Sequence, residues 1–203
     1  GEPFLLFDLM RRAVDYAIGK FREREVLPRF SATTNGILLD RDRIRYCHDL
    51  KMELSLSLDG VQEAHETGRG SGSHGHVADR VAVMKEFPDF PLRIVAVVTP
   101  QNVGYLSRSV EYLVSLGVPE ISLNIQYDCP WSDGSLDLLD EQYRKAFLFL
   151  HSVKSKGNPV RFDELKPPHD LKPVFQCTPG KDRLTVTPEG HLFPCTMLVP
   201  WSK

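Results

Sequence analysis

The feature that most constrains the fold is an alternation, at about 30 residues per unit, of short apolar runs with longer runs of helical period. Residues 4–25 carry Leu6, Leu9, Met10, Ala13, Val14, Ala17 and Ile18 at helical spacing. Val26 to Phe30, running into Ser31-Ala32-Thr33-Thr34-Asn35-Gly36, reads as a strand ending in a turn. Residues 52–58 read as a second strand, closed by Asp59-Gly60. The Gly/Ser/His-rich segment 68–76 reads as a loop, after which Val77, Val81 and Met84 lie on one helical face. Leu92 to Thr99 has the continuous apolar character of a strand buried in a parallel sheet. Asn102 is placed to N-cap a helix whose apolar face is Val103, Leu106, Val110, Leu113 and Val114, with Gly117 at its end. Residues 119–126 read as a further strand and 138–156 as a last amphipathic helix. The order α-β-α-β-α-β-α-β-α predicts right-handed βα units and a parallel sheet. From Gly157 onward prolines recur at 159, 167, 168, 173, 179, 188 and 194, so a second, irregular module is expected over 158–203.

Composition narrows the function classes. The net charge of −2 gives no electrostatic reason to expect nucleic acid as a partner. No apolar run approaches the ~20 residues that cross a bilayer. Four cysteines in 203 residues are too few for a disulfide scaffold, which points to a reducing, cytoplasmic setting.

In parallel β/α folds ligands sit at the carboxyl ends of the strands. The polar residues there are Thr34-Asn35-Gly36, Ser57-Leu58-Asp59-Gly60, Thr99 to Asn102 and Gln126 to Asp128, with Gly1-Glu2-Pro3 opening the chain. Singly, each is a turn signal. Their recurrence at successive strand ends suits a small polar ligand such as a nucleoside or amino acid.

Gly1-Glu2-Pro3, Thr34-Asn35-Gly36, Ser57-Leu58-Asp59-Gly60, then His65 and Arg69, in that order, resemble the radical S-adenosylmethionine (AdoMet) enzymes, and within them the branch with a C-terminal SPASM or twitch extension. The resemblance implies a partial (β/α)6, TIM-like barrel over 1–157, followed by the start of a SPASM/twitch extension over 158–203. It implies that Gly1, Glu2 and Pro3 bind the AdoMet amino group and that Thr34 and Ser57 lie near the methionyl carboxylate and ribose. Arg69 would pair with the carboxylate, and backbone near Leu123 would meet the adenine. The other reading of Arg69 is a solvated loop arginine. Asp59 would contact substrate or accept a proton, against its default as an Asp-Gly turn.

Leu184 to Phe193 reads as a β-hairpin with Pro188-Glu189-Gly190 at its turn. Cys177 and Cys195 flank it, which resembles the pair that ligates an auxiliary [4Fe–4S] cluster in that extension. Two structural thiols, or a zinc site using His191, are the alternatives. Cys47 reads as a packed thiol, Cys129 as a buried thiol or a substrate contact, and His74 and His76 as solvated.

By resemblance, a reduced [4Fe–4S] cluster would cleave AdoMet to methionine and a 5′-deoxyadenosyl radical, which would take hydrogen from a peptide or protein side chain. Flavodoxin or ferredoxin would supply the electron. No Cys-x-x-x-Cys-x-x-Cys loop occurs in these residues. The chain is therefore expected to be part of a longer enzyme and inactive alone. The rivals are a non-catalytic peptide-binding β/α module and an ordinary nucleotide-binding α/β enzyme such as a methyltransferase, which would need a Gly-rich loop after its first strand.

Overall fold

A computed structural model describes residues 1–162, 184–195 and 198–199. The chain divides into two compact units, Gly1–Leu165 and Lys166–Lys203.

In the first unit a short 3-10 turn, Pro3–Leu6, leads into α1 (Phe7–Arg22). There follow β1 (Ser31–Thr34), α2 (Arg41–Asp49), β2 (Glu53–Ser57), α3 (Gln62–Arg69), α4 (Ser73–Met84) and β3 (Leu92–Val98). A second 3-10 turn precedes α5 (Leu106–Ser115), then come β4 (Glu120–Ile125), α6 (Asp133–Ser155) and β5 (Arg161–Phe162). All five strands are parallel and lie in chain order, β1-β2-β3-β4-β5. Sequential order with right-handed crossovers puts the helices on one face of the sheet, as in a β/α barrel, leaving the other face for a ligand.

The side chains agree. Leu56, Ile94 and Ile121 pair in register and are fully buried, joined on the same face by Leu54, Leu58, Leu92, Ala96 and Val98. Val77, Val81 and Met84 of α4 and Val110 and Leu113 of α5 belong to the same core. The opposite face carries Ser55, Ser57, Arg93, Glu120, Ser122 and Asn124, because successive residues point to opposite sides. β3 thus alternates strictly between buried and half-buried positions, although its sequence reads as a continuous apolar run.

Three local expectations are corrected. β1 is Ser31–Thr34, and Val26–Phe30 is irregular: Pro28 interrupts that run, and the β-branched threonines supply the strand instead. Residues 68–76 are mostly helical, with α3 and α4 separated only at Gly70–Gly72, both at positive φ. Asn102 does not cap the helix after it; its amide accepts from Thr99 N–H at 2.8 Å and donates to the Val97 carbonyl at 2.9 Å, closing the end of β3. Gly117, at φ +64, follows α5 as expected and donates to the Val114 carbonyl.

In the second unit the described residues form the expected hairpin. β6 (Thr185–Val186) pairs antiparallel with β7 (Leu192–Phe193), and the Thr187 N–H to His191 carbonyl bond closes the turn at Gly190. No helix among the described residues is long and apolar enough to cross a membrane.

Candidate functional site

The Gly-Glu-Pro turn is tied to the end of β1 by one carboxylate. Glu2 Oε1 accepts from the Thr34 hydroxyl at 2.7 Å and from Phe4 N–H at 3.2 Å, while Oε2 accepts from Asn35 N–H at 2.9 Å. The Thr34 hydroxyl, 2% exposed, also accepts from Gly36 N–H at 3.0 Å. Two motifs separated by about thirty residues therefore meet. Both the Glu2 carboxylate and the Thr34 hydroxyl are engaged in that joint, and the Gly1-Glu2-Pro3 backbone lies beside it.

A second buried carboxylate sits after β2. Asp59 accepts from Arg69 Nε at 2.5 Å and Nη2 at 2.9 Å, and from the Val97 N–H of β3 at 2.8 Å. Its side chain is 5% exposed and that of Arg69 is 26% exposed, so the guanidinium is held at the edge of the site rather than solvated. The Asp59 N–H donates to Nδ1 of His65 at 3.2 Å. His65 is buried, and its Nε2 finds no hydrogen-bond partner among the described residues. Burial lowers its pKa from 6.5 to about 4, the nearby Asp59 charge opposing this in part, so the ring is neutral and able to accept at Nδ1. His74 packs edge-on against it and bonds the Gly60 carbonyl through Nε2.

The depressed His65 pKa sets a pH dependence. Between about pH 6.5 and about pH 4 the unfolded chain binds a proton at this residue that the folded chain excludes. Stability is full above that window and falls as the pH drops through it. Urea unfolding across the window should show a shallower acid loss for His65→Gln than for the wild type; equal slopes would remove His65 as the cause.

On the polar face Ser57 lies in register with Val95 and Ser122, and Asn124 pairs beside Val97. Ser122 and Asn124 escaped the sequence reading, although the alternation Ile121-Ser122-Leu123-Asn124-Ile125 carries the signal. The Leu123 side chain packs against the core, so only its backbone is available to a ligand on the polar face. Thr34 likewise shares the helix-facing side with Leu56.

Among the cysteines, Cys47 is fully buried and its thiol is pushed up to about 12 by burial, a packed and protonated group. Cys129 donates weakly to the Gln126 carbonyl at 3.5 Å, which also accepts from the Trp131 indole at 2.6 Å. Cys195 follows β7, and Cys177 lies outside the described residues. No group of three or more His, Cys, Asp or Glu residues among the described residues could hold a metal.

No protein-family model matches the sequence. The uncharacterized protein MJ0907 of Methanocaldococcus jannaschii is 28% identical over 129 residues, 62% of this chain and 44% of that protein. The antilisterial bacteriocin subtilosin biosynthesis protein AlbA of Bacillus subtilis is 24% identical over 198 residues, 91% of this chain and 40% of AlbA. Native anSMEcpe with bound AdoMet superposes with a TM-score of 0.66 at 18% identity, over 81% of this chain and 48% of that one. Streptococcus suis SuiB bound to S-adenosylmethionine gives a TM-score of 0.56 at 15% identity, over 85% and 44%. The chain spans under half the length of the relatives it matches, and it shares its fold with these AdoMet-bound structures.

Proposed function

We propose that this chain, which has the fold of those AdoMet-bound structures and resembles the SPASM/twitch branch of the radical AdoMet enzymes, is the AdoMet-binding part of such an enzyme. The observation that carries this is the division of the sheet. One face is given to the core, and the other bears the Ser57 and Ser122 hydroxyls, with an oriented guanidinium beyond the end of β2.

That donor set fits AdoMet. Its zwitterionic end needs a guanidinium for the carboxylate, supplied by Arg69, and acceptors for the amino group, supplied by backbone of the Gly1-Glu2-Pro3 turn. Ser57, with Ser122 in the same row, would meet the ribose hydroxyls, and strand backbone at Leu123 the adenine edge. Thr34 contributes by holding Glu2 in place. When bound and reductively cleaved, AdoMet supplies a hydrogen-abstracting 5′-deoxyadenosyl radical.

The described residues by themselves bring together no set of three or more ligands that could hold an iron–sulfur cluster. The catalytic cluster's ligands are proposed to lie elsewhere in the polypeptide. An auxiliary [4Fe–4S] cluster is proposed at Cys177 and Cys195, in a SPASM/twitch segment over 158–203 following a core over 1–157. The substrate is proposed to be a peptide. AlbA's name places it in bacteriocin biosynthesis, and anSMEcpe was solved with the Cp18Cys peptide, which supports that class. A flavodoxin or ferredoxin is the proposed electron donor.

The full-length polypeptide, reconstituted anaerobically with iron and sulfide and reduced with dithionite, should convert AdoMet to methionine and 5′-deoxyadenosine. AdoMet binding without any cleavage would overturn the enzymatic reading in favour of a non-catalytic binding module.

A further inference from the structure

Arginine presents two hydrogen-bonding edges to carboxylates, one through Nε and Nη2 and one through Nη1 and Nη2. In Arg69 the first edge is closed on Asp59, and Nη1 carries no bond to a described residue. Asp59 itself receives three donors. One oxygen takes Arg69 Nε, the other takes Arg69 Nη2 together with the Val97 N–H, and the carboxylate is almost wholly buried. Two of these three donors belong to the guanidinium, and burial keeps the one remaining acceptor site of Oδ2 away from solvent.

The loop bearing Asp59 is fixed from both sides. Its N–H is bonded to His65 Nδ1, and the next residue, Gly60, rests directly on Ser109 of α5. The plane of the guanidinium is thus determined by β2, β3 and α3 together, although Arg69 belongs to the last turn of a short helix that ends at Gly70.

We infer that Asp59 is a positioning residue and not a proton acceptor: by closing one edge of Arg69 it aims the other, Nη1–Nη2, at the carboxylate of a bound amino-acid ligand. This rests on the AdoMet reading above and specifies how the site distinguishes a ligand that carries that carboxylate.

The test titrates AdoMet and its decarboxylated analogue, which lacks only the carboxylate, into the full-length reconstituted protein by calorimetry. In Asp59→Asn the amide must point a donor at Arg69 or at the Val97 N–H, so the edge is released while the volume is kept. AdoMet should bind about tenfold more weakly, the scale of one lost charge-assisted contact. The decarboxylated analogue should bind Asp59→Asn and wild type within about twofold of each other. Equal weakening of both ligands would make Asp59 a merely structural residue and overturn the inference, as would an unchanged AdoMet affinity.

Should Asp59→Asn fail to fold, Arg69→Lys serves in its place. It keeps the positive charge but cannot span two carboxylates, so the same ligand-selective loss is expected, and full retention of AdoMet affinity would overturn the inference. Failure of the underlying reading looks different. The wild type would then bind no AdoMet, or Arg69→Met would bind it as well as the wild type.

Discussion

Gly60→Ala should be the most damaging single-methyl change in the described residues, lowering unfolding free energy by about 3 kcal/mol or more. Two terms combine. Gly60 has φ +120, a region that L side chains rarely enter. Its Cβ would also stand 2.0 Å from Ser109 Cβ and 2.9 Å from Ser109 Cα, so the obstacle is the helix itself and not the far end of a flexible side chain. Ser109 is buried, and its hydroxyl accepts from Val61 N–H at 3.3 Å, which leaves α5 little room to retreat. Gly70→Ala provides the control. Its φ is +95, but nothing lies within 4 Å of the added carbon, so only the backbone term applies, about 1–3 kcal/mol. Urea denaturation of the two variants separates the terms. If Gly60→Ala were no worse than Gly70→Ala, α5 would not be seated on this loop.

Glu2→Gln should destabilise by about 2 kcal/mol, although it changes one oxygen to an NH2 group. The carboxylate receives donors on both oxygens: the Thr34 hydroxyl and Phe4 N–H on one, Asn35 N–H on the other. A glutamine has a single acceptor, so its amide nitrogen must face a donor whichever way it is turned. Glu2→Ala should cost a similar amount by leaving the buried Thr34 hydroxyl without its acceptor. Combined with Thr34→Val it should cost less than the sum of the two single changes, by about 1 kcal/mol. Strict additivity in that cycle, measured by chemical unfolding, would mean that the two motifs are not coupled.

Both predictions concern residues that the sequence presents as turn or cofactor motifs, and the structure shows why those readings are incomplete. The order of Gly-Glu-Pro, Thr-Asn-Gly, Ser-Leu-Asp-Gly and Arg69 is legible and points to the fold that the chain shares with the AdoMet-bound structures. The joint between Glu2 and Thr34 is not. Neither residue carries a local signal for the other, and their meeting depends on how α1 returns the chain to β1. Asp59 read as a turn residue or a proton acceptor, because its engagement by Arg69 and Val97 requires knowing how β2 and β3 align. The loop reading of 68–76 followed from its glycines, whereas α4 forms because Val77, Val81 and Met84 pack against the sheet and override weak local propensity.

Period and composition carry the local part of the fold. That part comprises the alternation of strands and helices, the parallel sheet, the apolar side of each helix, and the hairpin between Leu184 and Phe193. Such signals are local, since a helix or strand must show its buried face within a few residues of chain. Which polar atoms meet is set by how the elements pack. A hydrogen bond forms over about 3 Å, and its partners here come from different elements: Glu2 meets Thr34 through the return of the chain by α1, and Asp59 meets Val97 through the register of β2 and β3.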